Sequence, residues 1–209
     1  MYEIKGLSFT VFDFETTGLD PEKDKVIEMA AIRVVDGKVV SEFSTLVKNG
    51  PVIPKITEIT GITNEELENA MDEDTAFRIL NRLIGDSVLI AHNAAFDLSF
   101  LHFSMMRIAG KTFTNDFFDT LTISRDRHYY PHKLEDMCRR YEVSLEGAHR
   151  ALNDVHGCWE LFSKFDAEDS VYPWTNKLGY LNKYGPNKWY PEHAITFGMD
   201  NKYEPRESA

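Results

Sequence analysis

The sequence contains no run of about eighteen apolar residues, which argues against a membrane-spanning helix. Its first residues lack the pattern of basic residues, apolar core and small-residue cleavage site that marks a secretory signal. Only two cysteines are present, Cys138 and Cys158, and their spacing is not CxxC. We therefore expect a cytoplasmic protein with free, buried thiols, and a disulfide between the two cysteines stays open as the alternative.

Basic residues are also scarce, with 23 Lys and Arg against 34 Asp and Glu, for a formal net charge of −11. This balance argues against a protein that holds nucleic acid mainly through a broad basic surface. It leaves open an enzyme acting on nucleic acid, because bound divalent cations can reverse the local sign of a carboxylate cluster. The length of 209 residues and the 43% hydrophobic content suit one folded domain with a small appendage.

The order of predicted elements indicates an α/β fold. Residues 7–14, 26–35 and 38–47 are rich in apolar and β-branched types, and Asp36-Gly37 between the last two is a hairpin turn signal, so they predict an antiparallel meander. A capping box at Thr63–Glu66 predicts a helix start. Further helical patterns cover 74–84, 96–108, 133–141 and 149–165, with apolar strand candidates at 87–91 and 117–122. Alternating strands and helices after a meander predict a mixed sheet covered by helices.

The composition changes near the C-terminus. We therefore place one domain at residues 1–168 and an aromatic-rich extension at residues 169–209, which shows no clear period. Trp174, Trp189 and Tyr190 alternate there with lysines such as Lys188. This mixture suits stacking on a single strand or docking on a partner, but we expect an irregular flap packed on its own domain.

Acidic residues are the candidates for chemistry. Strand alternation places Asp13 and Glu15 on one face at the end of the first strand, where two adjacent carboxylates repel each other unless a cation lies between them. A solvated strand end is the simpler alternative for this pair. Asp97 follows a short strand at the start of a helix, and it either complements the helix dipole or faces a site at the strand ends. Asp154, taken alone, is typical of a solvent-facing helical residue.

Three segments together resemble the DEDDh (DnaQ-like) branch of 3′–5′ exonucleases, which includes the epsilon proofreading subunit of bacterial DNA polymerase III and ribonuclease T. The first motif of that family is similar to residues 12–18, FDFETTG, and the second to residues 91–97, AHNAAFD. The third motif, His-x4-Asp, is similar to His149 and Asp154. The order and spacing agree, and the resemblance extends from residue 7 to residue 165. It implies a ribonuclease-H-like fold with a central mixed five-stranded sheet, an antiparallel three-strand meander and flanking helices.

The resemblance also implies two-metal hydrolysis with Mg²⁺ or Mn²⁺, which prefer oxygen ligands. Asp13 would bridge both cations, Glu15 and Asp154 would ligate the cation that activates the attacking water, and Asp97 would support the other cation. His149 would be the general base, since the ordinary pKa of histidine lies near working pH. The family's pocket for the 3′-terminal nucleotide is similar to Thr16, Thr17 and Leu19, and further candidates for base and sugar contact are Ile62, His92, Asn93 and Phe96. For Leu19, Ile62 and Phe96, packing in the core is the alternative.

We therefore expect a 3′–5′ exonuclease that releases nucleoside 5′-monophosphates from single-stranded or frayed DNA 3′ ends, in proofreading or repair. A DNA polymerase is a candidate partner, and the resemblance gives no oligomeric state. An exoribonuclease that trims RNA 3′ ends is the alternative, because these residues do not distinguish deoxyribose from ribose. A non-catalytic module that binds nucleic acid or a partner is a second alternative, and the intact set of five residues argues against it.

Overall fold

The computed structural model describes residues 6–145 and 150–204. A six-stranded mixed sheet runs through its centre in the order β4-β3-β2-β1-β5-β6. The strands are β1 (Ser8–Thr16), β2 (Val26–Val35), β3 (Lys38–Lys48), β4 (Met71–Asp72), β5 (Val88–Ala91) and β6 (Phe117–Asp119). The α/β prediction is confirmed, and the sheet has one strand more than the five expected. The extra strand, β4, pairs only two residues with β3, which is too short to leave a pattern in the sequence.

The predicted meander is present. β1 pairs with β2 and β2 with β3, both antiparallel, whereas β5 and β6 add in parallel on the other side of β1. The turn between β2 and β3 has positive φ at both central residues, 49° at Asp36 and 74° at Gly37. Such turns match the twist of paired strands, and Asp-Gly tolerates the required backbone. β1 is therefore a central strand, and its last residues continue beyond Val11, where its pairing with β5 ends.

Helices cover both faces of the sheet. They are α1 (Pro54–Thr60), α2 (Asn64–Glu68), α3 (Glu73–Ile84), α4 (Ala94–Ala109), α5 (Thr120–Arg127), α6 (Leu134–Arg140) and α7 (Ala151–Glu168). The side chains of β1 alternate: Phe12 and Phe14 pack in the core under α3 and α4, while Phe9 and Val11 pack under α7. Asp13 and Glu15 continue the second set by the same alternation, so they point toward the α7 side. Among the described residues, no helix combines the length and hydrophobicity that a membrane span requires.

The C-terminal extension contains more regular structure than the sequence indicated. Strands β7 (Lys177–Leu181) and β8 (Ile195–Met199) form a parallel two-stranded sheet that follows one turn of 3₁₀ helix. Asn176 exchanges hydrogen bonds with the backbone of Phe117, and Gly179 N–H donates to Thr122 Oγ1 at 2.9 Å. Leu178 is buried in the core below α4. These contacts attach the extension to the edge of the sheet next to β6.

Both cysteines are free and buried, as expected. Burial raises the pKa of Cys138 to about 11, so its thiol stays protonated at neutral pH. The structure therefore assigns these residues to packing rather than to chemistry.

Candidate active site

Three carboxylates from two elements meet beside the end of β1. One oxygen from each of Asp13, Glu15 and Asp154 lies within 4.8 Å of the others. β1 supplies the first two on the same face, and the first turn of α7 supplies the third. The predicted convergence of these distant residues is therefore present, at a spacing that suits shared ligation of a cation.

Asp97 reaches the same place from the opposite layer. It lies in the first turn of α4, is 2% exposed, and accepts a hydrogen bond from Phe14 N–H at 3.1 Å. The backbone amide between Asp13 and Glu15 thus anchors Asp97 against β1. All four acidic side chains line one cavity of about 440 Å³, together with Lys133 and the first residues of α6. We call this space the acidic cavity.

The negative charges in the acidic cavity repel one another. Burial first, and then the charges of Glu28 and Asp154, raise the pKa of Glu15 to about 7. Burial and the same cluster of carboxylates raise the pKa of Asp13 far above its usual range. Burial and the charge of Asp13 raise the pKa of Asp97, against the opposing hydrogen bond from Phe14. A carboxylate cluster with these properties becomes fully ionised at neutral pH only when positive charge is supplied.

Glu28 is a fifth acidic residue of the cluster that the sequence prediction missed. It pairs across the strands with Glu15, it is 2% exposed, and its Oε1 lies 3.5 Å from Arg150 Nη2. Its Oε2 has no hydrogen-bond partner in the described part of the chain. Burial raises the pKa of Glu28, while the Arg150 guanidinium and the Ala151 N–H oppose that rise. A charged residue inside the apolar run of β2 was the available signal for this side chain.

Asp119 organises the junction that carries the second motif. Its Oδ1 accepts hydrogen bonds from the N–H groups of Asn93 and Ala94, each at 3.0 Å, and from Leu121 N–H at 3.1 Å. Its Oδ2 accepts from the N–H and the hydroxyl of Thr122. This buried carboxylate satisfies the first N–H groups of both α4 and α5. It also holds Asn93 in a left-handed conformation, with φ of 68°, at the edge of the acidic cavity.

His92 lines the acidic cavity, but both of its ring nitrogens are bonded within the protein. Nε2 lies 3.0 Å from the carbonyl oxygen of His132, so it carries the hydrogen, and Nδ1 lies 2.9 Å from Thr120 Oγ1. Burial lowers the pKa of His92 to about 4, which keeps the ring neutral. The ring nitrogens are therefore committed to fixing the junction, and only the ring surface faces the cavity.

The other predicted substrate residues lie in three different settings. Leu19 is 84% exposed beyond the end of β1, and Phe96 is half-buried at the border of the acidic cavity. The Thr16 and Thr17 hydroxyls form hydrogen bonds within the loop between β1 and β2. Thr16 Oγ1 donates to the Gly18 carbonyl oxygen, and Thr17 Oγ1 accepts from Lys25 N–H. The hydroxyls of these two threonines are thus occupied by the chain itself.

Ile62 and His149 are the remaining two of the predicted site residues. Ile62 is 3% exposed and packs with Ile27, Val52 and Leu67, so the core-packing alternative describes its side chain and substrate contact does not. The physical reason is that the segment before α2 turns its apolar residues under β2. His149 lies outside the described residues, and its role as general base stays a prediction.

The comparisons with known proteins agree with this geometry. The RNase T family model, described as an exonuclease, matches residues 10–162. DNA polymerase III PolC-type of Clostridium perfringens is 37% identical over 211 residues, which cover 94% of this chain and 14% of that protein. The corresponding protein of Latilactobacillus sakei is 33% identical over 200 residues, covering 92% and 14%. The chain therefore spans about one seventh of the length of these relatives.

Solved structures show the same fold. Escherichia coli exonuclease I in complex with a dA16 oligonucleotide superposes with a TM-score of 0.70 at 20% identity, covering 78% of this chain and 41% of that one. Exonuclease I of Methylocaldum szegediense gives 0.69 at 18% identity, with 80% and 42% covered. The family model spans most of the chain and includes every residue of the acidic cluster, and on this ground the chain belongs to the DnaQ-like 3′–5′ exonuclease family.

Proposed function

We propose that this chain hydrolyses the terminal phosphodiester of a DNA 3′ end and releases nucleoside 5′-monophosphates. The observation that carries the proposal is the convergence of Asp13, Glu15 and Asp154, with Asp97 behind them, in one half-buried cavity. Such a site is costly to build for packing alone, because each carboxylate raises the free energy of its neighbours.

The donor set fits divalent cations with a preference for oxygen. The described part of the acidic cluster offers only carboxylate oxygens, which suit Mg²⁺ or Mn²⁺ and do not suit a structural zinc site. Two such cations, when bound, would stabilise the attacking and leaving oxygens of phosphodiester hydrolysis. Asp13, Glu15 and Asp154 would hold these cations, and Asp97, anchored on Phe14 N–H, would add a further carboxylate ligand.

The protein's own groups have separate tasks in this proposal. His149 accepts the proton of the attacking water, and Lys133 brings positive charge to the border of the acidic cavity. Phe96 at that border and the exposed Leu19 in the adjoining cavity give apolar surfaces for the terminal nucleoside. The backbone around Thr17 and Gly18 is held by its own hydrogen bonds, which preorganises the turn next to the cavity.

DNA is the favoured substrate because the relatives are named DNA polymerase III and the structural neighbour was solved with a DNA oligonucleotide. We accordingly propose a role in proofreading or repair, with a DNA polymerase as the candidate partner. An exoribonuclease uses the same carboxylates, so RNA is the second candidate substrate. A module that binds without catalysis is the third possibility, and the intact acidic cluster argues against it.

One assay separates these functions. The chain is incubated with 5′-labelled single-stranded DNA and RNA of the same sequence, in Mg²⁺, in Mn²⁺ and in chelator. We expect stepwise shortening of DNA from the 3′ end, faster than that of RNA, and none in chelator or after Asp13→Asn. Asp74→Asn, an exposed carboxylate of α3, is the matched control and should retain full activity. Shortening that persists in chelator would rule out the carboxylate-dependent mechanism.

A further inference from the structure

A second cavity of about 450 Å³ adjoins the acidic cavity, and we call it the entrance cavity. The two spaces share Asn93 and Phe96 in their linings. Leu19 and Phe103 continue the apolar side of the entrance cavity, and Asn187, Lys188 and Trp189 of the C-terminal extension form the facing side. Its size lies in the range of ligand-binding cavities. The family model ends at residue 162, so this facing wall comes from outside the matched domain.

The wall formed by residues 187–189 is firmly attached to the domain. The Trp189 ring stacks on His102 with 4.4 Å between centroids and 27° between planes, and it meets the edges of Phe103 and Phe113. Downstream, His193 Nε2 lies 3.1 Å from the carbonyl oxygen of Asn115. Aromatic contacts of this kind contribute beyond the area that they bury. Residues 187–189 therefore form a fixed side of the cavity.

The chemistry of the wall suits a nucleic acid strand. Lys188 is exposed at the rim. The pKa of Asp20, across the opening, is lowered mainly by hydrogen bonds from Lys23 and from the Glu22 N–H, and the charge of Lys188 lowers it further. Lys23 is paired with Asp20 at 2.8 Å. A lysine at the rim above an apolar lining offers a phosphate contact next to a surface for a base, and both are independent of base identity.

We propose that residues 187–189 bind the single strand just upstream of its 3′-terminal nucleotide, with Lys188 on a backbone phosphate and Trp189 beside the adjoining base. The inference rests on the proposed function, because continuity with the acidic cavity sets the direction of the strand. It assigns the C-terminal extension a share in substrate affinity in addition to its packing.

The test compares Lys188→Ala with Lys183→Ala. Lys183 belongs to the same extension, is also exposed, and contacts the Tyr184 ring away from the entrance cavity. For a single strand, each phosphate contact contributes about 0.7 to the slope of log affinity against log salt concentration. At 0.1 M salt, relative to 1 M, one contact therefore contributes about fivefold in affinity. We expect Lys188→Ala to raise KM for an oligothymidylate about fivefold at 0.1 M salt, with kcat retained and the salt slope reduced by about 0.7. Lys183→Ala should match the parent.

A nitrophenyl ester of thymidine 5′-monophosphate is the second substrate, since it retains only a terminal nucleoside. Its KM should change less than twofold in Lys188→Ala, and an equal rise for both substrates would contradict the upstream assignment. Identical behaviour of the two lysine variants on the oligothymidylate would overturn the inference. Binding of a labelled oligothymidylate in Ca²⁺, followed by anisotropy, gives the same comparison without turnover. Lys188-dependent binding by a chain that cleaves neither substrate would refute the proposed function and support this inference.

Discussion

The substitution Glu15→Gln should stabilise the metal-free protein above neutral pH. The carboxyl group of Glu15 has an ordinary pKa of 4.5 and a pKa of about 7 in the folded chain, because of burial and then of Glu28 and Asp154. Between these values the folded state binds more protons than the unfolded state. The free energy of unfolding therefore falls as the pH rises from 4.5 to 7. Glutamine has no charge to bury, so the variant escapes this loss.

The size of the effect follows from the same pKa values. The difference between 7 and 4.5, at about 1.4 kcal/mol per pKa unit, gives a loss of roughly 3 kcal/mol that is complete above pH 7. For a chain of this length 1 kcal/mol shifts Tm by about 2–4 °C, so the variant should melt roughly 10 °C above the parent at pH 8 in chelator. At pH 4.5 the two proteins should melt together.

Thermal unfolding followed by circular dichroism, from pH 4.5 to pH 8 in chelator, measures this difference. Mn²⁺ should reverse the order, since the parent gains a ligand for the cation and the variant loses one. Glu58→Gln is the control, because Glu58 is exposed on α1. A variant that is less stable than the parent at pH 8 in chelator would show that the acidic cavity does not hold electrostatic strain.

Three further substitutions test separate parts of the site. His149→Ala should lower turnover by about 10² to 10⁴ while Mn²⁺ binding, measured by calorimetry, persists; unchanged turnover would remove it as the base. Glu28→Gln should lower kcat about tenfold in initial-rate assays, because it loses the charge that holds Arg150 at the start of α7; equal kcat values would leave Glu28 a packing role. Asp119→Asn should lower the free energy of unfolding, measured in urea, by about 2–4 kcal/mol. The amide NH₂ of asparagine would face backbone N–H groups that now donate to the Asp119 carboxylate. A smaller loss would mean that the junction forms other hydrogen bonds.

Local patterns were sufficient to predict much of the site. Alternation along one strand places Asp13 and Glu15 on the same face, and that rule needs no knowledge of distant residues. The start of α4 was visible as a strand-to-helix junction, which placed Asp97 near the strand ends. The convergence of Asp154 with these residues came from the resemblance to the family, because nothing near Asp154 in the sequence indicates its neighbours.

The residues that were missed depend on long-range register. Glu28 faces Glu15 only because β1 and β2 pair in one particular register, and Asp119 caps two helices that come together across β5 and β6. Ile62 was misplaced because an apolar residue in a loop looks the same whether it contacts ligand or core. The strands of the extension are five residues long and, within the described part of the chain, pair only with each other, so they left no period to detect.

The parallel pairing of β7 with β8 constrains how the chain between them can be changed. Two strands that run in the same direction cannot be joined by a tight hairpin, so the chain must travel back along their full length before the second begins. Residues 182–194 form this connecting loop, and Lys188 and Trp189 within it line the mouth of the entrance cavity. Changing the length of this loop should leave β7 and β8 paired and should alter the width of the cavity mouth. The binding of a single strand in the entrance cavity would then change while the carboxylates stay in place.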